Sequence, residues 1–135
     1  MWKKIKVNAT LEGLGEMLHH LEDCLKHQNY NLKYTKRIRI IVDEIAGNIV
    51  RYAYSLNDGE MELRIKLNKK FINLYFIDSG FPYNPLSQKE PNVHLSLEER
   101  HSGGLGIYMV RKLVDKIKYK RRNFKNYLFL RINIK

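Results

Sequence analysis

Three stretches of the 135-residue chain carry residue types that do chemistry. Glu44, Asn48 and Arg51 are spaced i, i+4 and i+7, so a helix would present them on one face. An amide oxygen can ligate Mg²⁺, a guanidinium can meet phosphate and a carboxylate can act as a base. The row therefore suits a charged ligand, although a solvent-facing Glu/Arg pair with an incidental Asn explains the same spacing. Gly47 lies within this helix, where glycine costs about 1 kcal/mol relative to alanine. Its presence suggests close approach of another backbone or of a ligand.

The second stretch is Asp78-Ser79-Gly80-Phe81-Pro82-Tyr83-Asn84-Pro85. An acid that ends an apolar strand, followed by a glycine turn, places a carboxylate at the rim of a sheet. Such a group accepts a hydrogen bond from an exocyclic amine such as that of adenine. A strand-ending Asp turn is the plain alternative. The third stretch, Gly103-Gly104-Leu105-Gly106, opens an apolar helix. Glycines let backbone N–H groups approach phosphate, and a helix N-terminus favours negative charge. Tight packing at a loop-to-helix junction also fits it.

The elements that must position these residues follow from periodicity. Ile5 and Val7 alternate with lysines, which predicts a short edge strand. Thr10 caps a helix whose apolar face is Leu11, Leu14, Leu18, Leu21 and Leu25. After the break at Asn29 to Asn31, a second helix is predicted from about Thr35 to Tyr54. Its core stripe is Ile38, Ile41, Ile45, Ile49 and Tyr52. Asn57-Asp58-Gly59 signals a turn, residues 61–67 alternate as a half-buried strand, and 71–77 read as a more central one. Residues 86–102 are polar with no clear period and read as a long loop, which in a compact domain is usually functional or mobile. The third helix runs to about Val114, and strands near 116–121 and 127–134 flank a turn at Asn123 to Asn126. The order β-α-α-β-β-loop-α-β-β predicts an α+β sandwich, with helices on one face of a mostly antiparallel sheet.

Length suits one domain over 1–135, and no apolar run approaches the roughly 20 residues of a membrane span. A lone Cys24 suits a reducing cytoplasm and a buried helical position. Of the net charge of +11, residues 111–135 carry +9. That end would meet an anionic partner, an acidic protein or nucleic acid, or form a solvated hairpin face whose edge lysines block aggregation. The solvated face is preferred. Trp2, Tyr119, Phe124 and Tyr127, interleaved with these cations, read as core or cross-strand pairs. The five histidines have no zinc-site spacing and read as surface or loop residues.

Taken in order, the three stretches resemble the histidine-kinase-like ATPase superfamily, and within it the small serine-kinase anti-sigma factors of bacteria, the RsbW/SpoIIAB type. The resemblance covers residues from about 5 to 134. It rests on Asp43 to Tyr54, on Asp78 to Pro85, and on Leu97-Glu98-Glu99-Arg100 leading into Gly103 to Asp115. It implies a two-layer α/β sandwich of the Bergerat type that holds ATP between helices under a lid at 86–102. It further implies Asn48 as the Mg²⁺ ligand and Glu44 as the general base facing a serine hydroxyl. Asp78 would accept the adenine amino group, with Gly80 making room for the base. Gly103, Gly104, Leu105 and Gly106 would shape the triphosphate site, with Arg51 and Arg100 near phosphate. The implied activity is γ-phosphoryl transfer to a serine of an anti-sigma factor antagonist. A sigma factor or other regulator would be the second partner, and the protein would act as a cytoplasmic homodimer. Tyr52 stands where the family often has histidine, and Ser102 stands where some members place a phosphate-contacting Arg. An ATP-gated, non-catalytic regulatory module would share Asn48, Asp78 and the glycines without needing Glu44. Nucleic-acid binding with coincidental motifs ranks below both.

Overall fold

In the computed structural model the backbone is described for residues 1–54, 58–87 and 102–135, and the side chains for the same residues except 102–105. Strand β1 (Lys3–Asn8) leads into helix α1 (Leu11–Lys26), whose cap is Thr10, accepting from the Gly13 amide at 2.9 Å. Helix α2 (Leu32–Asn48) starts three residues before the expected position, because the Asn31 side chain caps it through the Lys33 amide. Strands β2 (Glu60–Leu67) and β3 (Phe71–Asp78) form a hairpin. Its turn is held by Asn68 Oδ1, which accepts from the Lys70 and Phe71 amides. Helix α3 (Ser102–Leu113) precedes β4 (Lys116–Arg122) and β5 (Lys125–Asn133). Among the described residues no helix is long and apolar enough to cross a membrane.

The sheet order is β1-β2-β3-β5-β4, with every pair antiparallel. Period-two alternation gives the sheet two unlike faces. Ile5, Val7, Leu63, Ile65, Leu74, Phe76, Leu128, Leu130 and Ile132 point one way and are buried. Met17, Leu21, Ile38, Ile41 and Ile45 of the helices pack against them in one core. The α+β sandwich with helices on one face is the observed architecture.

Three local expectations need correction. Tyr52 is 54% exposed and is not part of the core stripe. Helix α2 passes at Ile49–Ala53 into a π-helical turn, whose wider winding rotates later residues off the 3.6-residue face. Ala53 turns inward in place of Tyr52. On α1, Leu11 is 77% exposed, while Met17 is fully buried. Phe124 is neither core nor a cross-strand partner. It sits with Asn123 at the tip of the β4–β5 turn, both at positive φ, and is 84% exposed.

Candidate nucleotide site

Strand alternation places Asp78 on the helix-facing side of β3, at the strand's last position, where it is 8% exposed. Its Oδ1 accepts from the Gly80 amide at 2.9 Å and from Asn126 Nδ2 at 3.0 Å. Asn126 Nδ2 also donates to the Phe81 carbonyl, and its Oδ1 accepts from the Tyr119 hydroxyl at 2.6 Å. One carboxylate oxygen is thus pinned, and the other takes no hydrogen bond from a described residue. Asp78 lines a cavity of about 150 Å³ with walls of Ile45, Ile49, Phe76, Ile107 and Leu128. Asn48 and Asn126 are further polar groups in that lining. An apolar slot with a few converging polar groups suits a flat heteroaromatic ring with an exocyclic amine.

Gly80 does not line the cavity. A Cβ there would lie 2.2 Å from the Ala53 carbonyl oxygen, so the glycine lets the loop after β3 press onto the end of the π turn. The Phe81 amide donates to that same carbonyl at 2.9 Å, and Arg121 donates to the Gly80 carbonyl at 2.8 Å. Beside this junction the Tyr54 hydroxyl donates to the Glu60 carbonyl and accepts from the Ser79 amide. Burial pushes the Tyr54 phenol above its ordinary value of 10.0, so it keeps the proton that makes the first of these bonds.

On α2, Asn48 is 7% exposed and its Oδ1 accepts from Arg51 at 2.9 Å. Its Nδ2 is the one buried side-chain polar atom among the described residues that has no partner. Such an orphan at a cavity wall is an atom that a ligand satisfies. Arg51 folds back over Gly47, whose absent Cβ would lie 3.3 Å from the guanidinium. The close approach at Gly47 is therefore by this side chain. Glu44 lies one turn before Asn48 but is not part of the cavity lining. Its carboxylate faces α3 at Gly106, where a Cβ would stand 2.2 Å from Oε2. The next residue, Ile107, lines the cavity, which ties the start of α3 to both groups.

Glu44, Asn48, Arg51, Asp78 and Gly106 thus converge on one end of the sheet. Gly103, Gly104 and Leu105 lie in the first turn of α3, with their side chains outside the described residues. Arg100 and most of the expected lid also lie outside them. Asn126 and Tyr119 were not anticipated as site residues. Their signal was present: Asn126 is the polar interruption of the inward series Leu128, Leu130, Ile132. Assigning Asn126 to the turn hid it.

Comparisons with known proteins give the family. The model of the histidine kinase-like ATPase domain matches residues 7–132. The serine/threonine-protein kinase BtrW of Bordetella bronchiseptica is 23% identical over 127 residues, covering 93% of this chain and 89% of that protein. The serine-protein kinase RsbW of Bacillus velezensis is 24% identical over 121 residues, covering 85% of this chain and 75% of its own. RsbW of Bacillus thuringiensis is 29% identical over 118 residues, with coverage of 84% and 74%. The match spans every element that carries the site, and the chain belongs to the histidine kinase-like ATPase domain family.

Proposed function

We propose that this chain is an ATP-dependent serine protein kinase of the anti-sigma-factor type. It transfers phosphate to a serine of an anti-sigma factor antagonist and regulates a sigma factor or a similar regulator. The single observation that carries the reading is the half-pinned Asp78 carboxylate in an apolar slot. Its remaining oxygen would accept from the adenine amino group. The kinase names of BtrW and RsbW support the same activity.

Asn48 would hold Mg²⁺ through its amide oxygen, and its unpartnered Nδ2 would donate to an acceptor of the bound ligand. Bound Mg²⁺ would supply charge neutralisation at the phosphates. Arg51 must release Asn48 Oδ1 for this, and its exposed guanidinium is then free to turn to phosphate. Gly103, Gly104, Leu105 and Gly106 present the N-terminal amides of a 12-residue helix to the phosphates. Glu44 takes the proton of the serine hydroxyl as the γ-phosphoryl is transferred. Arg100 would close over the phosphates from the lid. The same reading makes the protein a cytoplasmic homodimer.

The test is incubation with γ-labelled ATP and an antagonist protein, beside that antagonist with its target Ser→Ala. One acid-stable phosphate per wild-type antagonist, and none on the variant, is the expected result. ATP binding without any transfer would replace this reading with the non-catalytic, ATP-gated module.

A further inference from the structure

The face of the sheet turned away from the helices is divided in its charge. On the β1–β2 half, Lys6 pairs with Glu60 at 3.7 Å and Arg64 with Glu62, while Lys4 and Lys66 are in no ion pair among the described residues. On the β5–β4 half, Lys116, Lys118, Lys120, Arg122 and Arg131 are in no ion pair among the described residues. The four β4 cations are all exposed. They alternate along an edge strand, so their spacing is roughly 6.6 Å. Register places Lys118 opposite Phe129 and Lys120 opposite Tyr127.

Aromatic rings run inward from these cations across the bare face. Phe129 lies 4.9 Å from Tyr75 between ring centroids, and Tyr75 lies 5.4 Å from Trp2. All three rings are only half-buried. Lys120 stands over the Tyr127 ring and Arg131 over Phe71. Cross-strand pairing explains the contacts between the rings, and edge lysines protect the sheet from other strands. Neither explains why the β1–β2 half of the face carries acids among its cations and the β5–β4 half carries none.

We infer that the β3–β5–β4 part of this face binds single-stranded nucleic acid. Phosphates would track the β4 cations, and bases would stack on Phe129, Tyr127 and Tyr75. A row of cations beside half-exposed rings is the arrangement that takes a flexible polyanion with flat bases. A second copy of the chain is disfavoured on this face, because it would bring like charges together. The surface lies on the opposite side of the sheet from the nucleotide cavity, so this inference does not rest on the kinase reading.

The probe is a fluorescein-labelled 12-nucleotide oligo(U), followed by anisotropy from low to moderate salt. Binding should weaken linearly in log–log form as salt rises. The pair Lys118→Glu and Lys120→Glu should reduce the magnitude of that slope by about 1.4, two phosphate contacts at roughly 0.7 each. Phe129→Leu should weaken binding about 5- to 150-fold, the equivalent of one lost stacked base. Thermal melting would confirm that the variants fold, and the lysine pair is on the exposed surface, clear of the core. Asp78→Asn should bind the oligonucleotide as the wild type does, even where ATP binding is lost. No binding at low salt would overturn the inference. So would binding that is indifferent to Phe129→Leu and is competed equally by polyglutamate, which would mark an acidic polypeptide as the occupant.

Discussion

Glu44→Ala is expected to reduce phosphoryl transfer by about 10²- to 10⁴-fold, the usual contribution of a positioned general base. ATP affinity should stay close to that of the wild type. The two effects separate because Glu44 is not part of the cavity lining and its carboxylate faces α3 instead. Gly106→Ala tests the same placement without removing the carboxylate. The new Cβ would stand 2.2 Å from Glu44 Oε2, the far end of a flexible side chain, so Glu44 must swing away. The substitution also gains up to about 1 kcal/mol of helix propensity, so the fold should hold. Transfer should nonetheless fall, because the base no longer meets the hydroxyl. Single-turnover transfer and calorimetric ATP binding, measured on both variants, check this. Full transfer by Glu44→Ala would remove Glu44 from the mechanism.

Gly80→Ala is expected to cost about 3 kcal/mol of stability, at the upper end for overpacking a tight site. The obstruction is backbone: the Ala53 carbonyl oxygen would lie 2.2 Å from the new Cβ, and it already accepts from the Phe81 amide. Relief requires opening that hydrogen bond and lifting the loop that carries the Gly80 amide off Asp78. ATP binding should therefore fall together with the melting temperature, by roughly 10 °C for a domain of this size. Gly15→Ala is the matched control, since nothing lies within 4 Å of its added Cβ. It should be neutral or slightly stabilising. A Gly80→Ala protein that melts with the wild type would contradict the packing of this junction.

The sequence was informative wherever a local rule sets the outcome. The Thr10 cap depends on a side-chain bond to nearby backbone, and it formed as expected. The alternation of Ile5 to Val7 and of residues 61–67 fixed which face of each strand is buried. Tyr52 was misplaced because a helical period cannot foresee a π turn, which depends on how the helix end meets the loop after β3. Asp78 could be singled out as a strand-end acid. Its fixing by Asn126, 48 residues away, could not, since that contact depends on the antiparallel register of β3 with β5. The same limit applies to Glu44 and Gly106: each was a candidate alone, and only the packing of α2 on α3 shows the carboxylate against the glycine. The basic C-terminal segment was legible as charge. That its cations stand beside a row of rings, on the half of the face that carries no acid, follows from strand order.

The most direct test of the central claim is calorimetric titration with ATP, with and without Mg²⁺, of the wild type and of Asp78→Asn. The variant keeps the size of the side chain, and its amide can place a donor where the adenine amino group needs an acceptor. Wild-type binding that is strengthened by Mg²⁺ and lost in Asp78→Asn is the predicted result. Equal binding by both proteins, or none by the wild type, would contradict the assignment of this cavity as the adenine site.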